Sequence, residues 1–271
     1  MLYPSEWDNY ESEHANLEQE PPATSRLLKR AERESYVKLY PVDGLNSDSR
    51  TPWTKPAYTK LLAYNLTEFE RVLVIDPASQ VRGNMDDVFL LPRSGVAMSY
   101  VNTGRSKGRT ASPQLILASP SPANFAAVRQ AIDAASNSRD VDILKAVFST
   151  KIRPLDYDAY GFLTSDLRRN SLAEISALPS TDSENDDALT DVKIIHFSDP
   201  PLPQPWFKAP QDSVNKYMPQ CVKSQWFGAS NCRDRELWFK LYANYGRKRK
   251  ALCGAEFEVR QGAVSTSKDG L

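Results

Sequence analysis

The stretch Arg71-Val72-Leu73-Val74-Ile75-Asp76-Pro77 constrains the fold of this chain more than any other. Four consecutive apolar residues, three of them β-branched, offer no polar face. Such a run is expected to be a strand covered on both sides, as in a parallel sheet. Pro77 has no backbone N–H to give to a ladder, so it stops the strand and forces a turn. Asp76 is thereby set at a strand end, where ligands of layered α/β proteins collect.

The surrounding sequence alternates between strand and helix signals. Leu27, Leu28 and Ala31 share one face of a helix that starts near Pro22-Ala23-Thr24. Tyr36 to Tyr40 reads as a short strand, and Tyr58 to Leu66 as a helix with Leu61, Leu62 and Ala63 inward. Met85 to Phe89 is a short helix, and Val96 to Ser99 and Gln114 to Ala118 are strands. Val101 to Pro113 is expected to be a loop. Ser121 caps a helix carrying Phe125, Val128, Ile132 and Ala135, and another helix runs from Asp140 to Phe148. Val192 to Phe197 is a strand that places His196 at its end. Pro200 to Pro210 is too rich in proline for regular structure. A last helix, Asp234 to Tyr245, leads into Gly246-Arg247-Lys248-Arg249-Lys250. This order predicts α/β layering around a mostly parallel sheet.

Charge and composition exclude some functions. Thirty-four basic side chains balance 34 acidic ones, which argues against a protein that coats nucleic acid, because phosphate binding needs a basic excess. The basic run at 247–250 has no aromatic platform beside it and suits the negative end of a helix. No apolar run approaches the roughly 18 residues that span a membrane, and no secretory leader is visible. Cys221, Cys232 and Cys253 allow either one disulfide with a thiol left over or three unpaired thiols. Asn65-Leu66-Thr67 is a glycosylation sequon next to a helix expected to be buried. Residues 10–22 and the acidic stretch 179–191 read as loops.

Asp76 and His196 at strand ends suggest a site. A carboxylate and an imidazole suit a divalent metal, and basic side chains would hold phosphate oxygens. Each residue also has a structural alternative. Asp76 could cap a turn, His196 could be a core histidine bonded to backbone, Lys60 could be solvated, and Asp140 could cap its helix.

Several segments carry a specific likeness. Tyr58-Thr59-Lys60-Leu61-Leu62, Phe69 to Asp76, Gly83-Asn84-Met85-Asp86-Asp87-Val88-Phe89 and His196-Phe197-Ser198-Asp199 before Pro205-Trp206 occur in this order. Together they resemble family 8 glycosyltransferases of the glycogenin type. Ala159 to Thr164, Asn231 to Trp238 and Cys253-Gly254 are similar to the fungal N-acetylglucosaminyltransferase subgroup, also called glucose N-acetyltransferase. The likeness spans about Tyr36 to Gly254. It implies a GT-A nucleotide-diphospho-sugar transferase fold, with a mostly parallel central sheet flanked by helices. Residues 1–254 would form one such domain, followed by a tail at 255–271.

The resemblance further implies retaining transfer of N-acetylglucosamine or glucose from a UDP-sugar to a glycan acceptor in the Golgi lumen, assisted by Mn. Asp76 and His196 match the metal ligands. Lys60 and Gln204 match positions that contact the diphosphate, and Asp140 and Gln114 match positions beside the transferred sugar. The sequence departs from the pattern in three places. Ala78 stands where the second aspartate of a DxD pair is expected, Gln204 replaces a lysine, and Leu2-Tyr3-Pro4 resembles the second strand of the family, so the first is expected to be missing. A catalytically degenerate relative that binds or regulates another protein is therefore the alternative to an active enzyme.

Overall fold

The computed structural model describes residues 1–4, 23–35, 37–42, 58–102, 109–135, 138–169, 189–223 and 230–254. The loop expected at 10–22 and most of that at 179–191 lie outside them, as does the tail. The chain divides into two compact units. One comprises Met1–Asp76 and Asn84–Tyr160, and the other Pro77–Gly83 with the described part of Gly161–Leu271.

The first unit is built on four strands in the order β3 (Val72–Ile75), β6 (Arg109–Ala118), β5 (Val96–Asn102) and β7 (Ile152–Pro154). β1 (Leu2–Pro4) and β2 (Tyr40–Val42) make a separate parallel pair. The expected layering of helices around a central sheet is present. The expected strand sense is not, because β6 runs antiparallel to both β3 and β5, and only β5 and β7 are parallel. The reason lies in 101–113, which the sequence suggests is a loop. Val101 and Asn102 extend β5, Arg109 to Pro113 extend β6, and the two strands form a hairpin. β3 is consequently an edge strand of this sheet. Its residues are half-buried, with Ile75 38% exposed, rather than covered on both faces.

Pro113 explains why the strand was expected to begin only at Gln114. It cannot donate to a ladder, and a proline inside a central strand is confined to a bulge. The register shifts here: Met98 faces Ile116, whereas Ser99 faces Ser112.

Helices complete the first unit. α1 (Ala23–Ser35) forms as its spacing predicts. The segment Tyr58–Asn65 is a 3-10 helix in which Tyr58 and Leu61 to Tyr64 are buried. Ser121 caps α2 (Pro122–Asp133) by accepting from the Asn124 N–H at 3.0 Å. α3 (Asp140–Phe148) buries Val141, Ile143, Leu144 and Phe148. These side chains share a core with Val96, Met98, Ile116, Val128 and Ile132. Burying one such aliphatic side chain stabilises by about 1.5–3 kcal/mol. A short α4 (Tyr157–Tyr160) closes the unit, with the Tyr160 hydroxyl donating to Asp87 at 2.7 Å.

The second unit pairs β4 (Ser79–Val81) antiparallel with β8 (Ile194–His196). It adds α5 (Gln211–Tyr217), the hairpin of β9 (Val222–Lys223) and β10 (Ser230–Asn231), and α6 (Arg233–Cys253). α6 continues through Gly246 and the whole basic run, well past the expected end at Tyr245. A disulfide joins Cys221 to Cys232, and Cys253 is a free thiol. The core gathers Ala78, Phe162, Leu167, Ile195, Phe197, Leu237, Trp238 and Leu241.

Two glycines separate packing from helix propensity. A Cβ on Gly95 would collide with the ring of Phe148, which is 5% exposed and stacks on Tyr64 at 5.4 Å between centroids. A Cβ on Gly246 meets nothing. Gly95→Ala is expected to destabilise by about 1–3 kcal/mol, and Gly246→Ala to stabilise by about 0.5–1 kcal/mol. Urea unfolding of the two variants measures both signs.

Candidate ligand site of the first unit

Four of the residues singled out by sequence come together in the first unit. The 3-10 helix is pinned by Tyr58, whose hydroxyl donates to the Ser138 carbonyl at 2.6 Å, just before α3. Two residues later Lys60 reaches the start of α3. Its Nζ lies 2.8 Å from Asp140 Oδ2 and 3.7 Å from Asp76 Oδ2. It also donates to the Pro113 carbonyl at 3.2 Å. The three charged side chains are 17–27% exposed, so the ammonium is accessible while held from several directions.

Local structure fixes each partner. Asp76 follows β3, and its N–H donates to the Gln114 carbonyl at 2.9 Å, beside the bulge. Asp140 opens α3 rather than capping it, since the preceding Arg139 holds the cap position. A carboxylate in a first turn is favoured by the helix dipole. Two residues on, Asp142 accepts from the backbone N–H of Arg139 at 3.3 Å and from its Nε at 3.0 Å. The Arg139 hydrogen bond holds the Asp142 carboxyl below the ordinary range of an aspartate. The Gln114 side chain accepts from the Ser112 hydroxyl at 3.1 Å. The arrangement is a partly exposed ammonium set between two carboxylates at one end of a sheet.

His196 and Gln204 belong to the second unit. His196 is fully buried on β8. Its Nδ1 lies 2.8 Å from the Ser79 hydroxyl, and its backbone N–H donates to the Phe162 carbonyl at 3.0 Å. A hydrogen bond to one ring nitrogen is the usual way to orient a metal-binding imidazole. Ser79 therefore touches the histidine. Ala78 is 7% exposed in the apolar core and supplies no ligand atom. Gln204 is exposed in the proline-rich segment, where its carbonyl accepts from the Phe207 N–H at 2.9 Å. Among the described residues, no group of three or more His, Cys, Asp or Glu side chains is gathered for a metal. Of the two residues that the motifs match to metal ligands, Asp76 offers a carboxylate in the first unit and His196 an imidazole in the second, each described within its own unit.

The second unit also holds a polar cluster that sequence reasoning missed. The carboxylate of Asp199 is fully buried, 2.9 Å from Arg168 Nη2. Tyr242 Oη donates to it at 2.7 Å, Trp238 Nε1 at 3.3 Å, and the Thr164 hydroxyl also donates. Burial first, and then Asp199, pushes the Tyr242 phenol well above its ordinary range. Arg168 also holds the carbonyls of Asp199 and Pro200 at 3.0 Å each. Trp238 and Tyr242 of α6 also pack in the core of this unit. Their second role, donating to a buried acid, has no signal in the 3.6-residue period.

Asp199→Ala leaves the buried Thr164 hydroxyl, the Tyr242 hydroxyl and the Trp238 N–H without their shared acceptor and Arg168 without its counter-charge, so a loss of about 3–5 kcal/mol is expected in denaturant unfolding. Lys60→Ala removes a partly exposed pair and is expected to cost under about 1 kcal/mol. The contrast separates an ion pair that holds the fold from one available to a ligand.

The chain is 29% identical over 266 residues to Glucose N-acetyltransferase 1 of Aspergillus fumigatus, covering 92% of this chain and 67% of that protein. It is 27% identical over 257 residues to the protein of the same name from Gibberella zeae, covering 93% and 55%. A shorter match to Glucose N-acetyltransferase 1 of Saccharomyces cerevisiae is 45% identical over 71 residues, a quarter of this chain. The chain thus spans roughly half to two thirds of the two relatives that it matches broadly. No family model matches it. Among solved structures it is similar to the galactosyltransferase LgtC bound to donor and acceptor sugar analogs, with TM-score 0.48 and 15% identity over 96% of both chains. It is also similar to the glycosyltransferase GlyE of Streptococcus pneumoniae, with TM-score 0.46 and 16% identity over 86% of this chain and 55% of that one. By sequence, the chain is a homologue of the fungal proteins named Glucose N-acetyltransferase 1, the subgroup its motifs resemble.

Proposed function

We propose that this chain carries the donor-binding part of a retaining glycosyltransferase that uses a UDP-sugar and a glycan acceptor. The observation that carries the reading is the Lys60 ammonium, held 2.8 Å from Asp140 and 3.7 Å from Asp76 at the end of a sheet. A diphosphate leaving group needs positive charge as the bond from the anomeric carbon to its oxygen breaks and the electron pair departs with UDP. Lysine supplies that charge as a mobile point cation. Asp140 keeps the ammonium in place and, with Gln114 close to the bulge, faces the sugar in this proposal. An acceptor hydroxyl then bonds to the anomeric carbon on the face that UDP has left, and its proton passes to the departing diphosphate oxygen. Gln204 contributes at most a neutral hydrogen bond to the diphosphate.

Mn enters through donor chemistry alone. The Asp76 carboxylate in the first unit and, separately, the His196 imidazole in the second are donors of the type that the ion takes, and the ion would add Lewis-acid neutralisation of phosphate charge. The Golgi lumen is proposed as the location, in keeping with the disulfide between Cys221 and Cys232. No described helix is long and apolar enough to cross a membrane.

A second reading is favoured by Ala78, which lies in an apolar core where a metal-binding aspartate is expected. In that reading the chain binds nucleotide-sugar or a partner without transfer. Calorimetric titration with UDP, with and without Mn, tests the proposal. Wild type is expected to bind more tightly with Mn, and Lys60→Ala to bind at least about tenfold more weakly. Wild type that ignores millimolar UDP under both conditions would remove the donor site. Affinity that Mn leaves unchanged but Lys60→Ala reduces would favour the second reading.

A further inference from the structure

We infer that Asn65 is an N-glycosylation acceptor, which gives the first unit a covalent saccharide on one side of its sheet. Asn65-Leu66-Thr67 is the single Asn-X-Ser/Thr triplet in the sequence whose middle residue is not proline. The sequence suggests that it adjoins a buried helix, which would hide it. The structure reverses that expectation. Tyr58 and Leu61 to Tyr64 are buried, but burial ends at Tyr64. Asn65 is exposed, and so are Thr67, Glu68, Phe69 and Glu70. The acceptor amide and the hydroxyl on which the transferase depends thus both lie at the surface, in the turn between the 3-10 helix and β3. The Thr67 N–H donates to the Asn65 carbonyl at 2.9 Å across this turn.

The surroundings accommodate a sugar. Thr67 to Glu70 form one wall of an open groove of about 690 Å³, with Arg93, Asn124 and Lys151 among its other lining residues. Phe69 is 44% exposed there. Mixed carboxylates, cations and amides beside an aromatic face suit the hydroxyls and C–H faces of a first sugar ring.

The placement also leaves the ligand site clear. Lys60 and Asn65 lie on the same 3-10 helix, five residues and therefore roughly 10 Å apart along its axis. Lys60 sits at the Asp76 end of β3. Tyr64, one residue before Asn65, donates its hydroxyl to Gly95 at 3.3 Å, at the opposite end of the sheet. Asn65 therefore lies toward the end of the first unit's sheet away from Asp76.

This inference rests on the lumenal location in the proposed function, and the test separates the two. The full chain is expressed in yeast behind a cleavable secretory leader, and the secreted product is run before and after endoglycosidase treatment. Wild type and Thr67→Ser are expected to show one downward shift, and Asn65→Gln and Thr67→Ala none. Non-reducing peptide mapping of the same material reads the Cys221–Cys232 bond as a record of passage through the lumen. A disulfide-bonded product with no shift overturns the inference and leaves the location standing. A shift that persists in Asn65→Gln also overturns it. UDP titration of Asn65→Gln, expected to match wild type, reads the donor site independently of the glycan.

Discussion

Pro113 cannot donate a hydrogen bond to either strand that flanks β6, and the first unit is arranged around that deficit. The ladder resolves it with a bulge, pairing Ser99 with Ser112 and Met98 with Ile116. A bulge leaves a backbone carbonyl outside the regular ladder. Here that carbonyl receives the Lys60 ammonium. The next residue accepts the Asp76 N–H, and the one before Pro113 holds the Gln114 side chain. One missing N–H thus accounts for where a lysine is anchored and why a polar strand segment lies beside two aspartates.

Much of the element inventory was legible because it rests on local chemistry. Ser121 before Pro122 announces a helix start by cap and proline together, and the structure places the cap there. The apolar run at 72–75 is a strand, and Leu61 to Ala63 face inward. The sense of the strands was not legible. An apolar run fits a buried parallel strand and a half-buried edge strand equally well, and the hairpin that decides between them was concealed by Gly104, Gly108 and Pro113. The end of α6 was misread for a related reason: Gly246 weakens a helix without ending it.

The candidate site was legible through spacing within motifs, not through periodicity. Lys60, Asp76 and Asp140 meet because Tyr58 ties the 3-10 helix to the entrance of α3, a contact across 80 residues that no local signal encodes. Asp199 was invisible for the opposite reason. It stands in a motif chosen for its histidine, and its own partners, Thr164, Arg168, Trp238 and Tyr242, are spread over the second unit. A carboxylate so enclosed is tolerated only because each donor offsets part of its lost hydration.

The length of α6 carries a last consequence. Its fully buried residues end at Leu241, and the turns beyond Tyr245 are almost wholly exposed, with Lys250 in the last turn facing the negative end of the dipole. Amide protons from Leu237 to Leu241 are expected to exchange with solvent slowly, through opening of the packed core around them. Those from Gly246 onward exchange by fraying from the tip. One continuous helix thus contains both a slow, cooperative segment and a fast, independent one, with the boundary set by where its tyrosines stop touching the core.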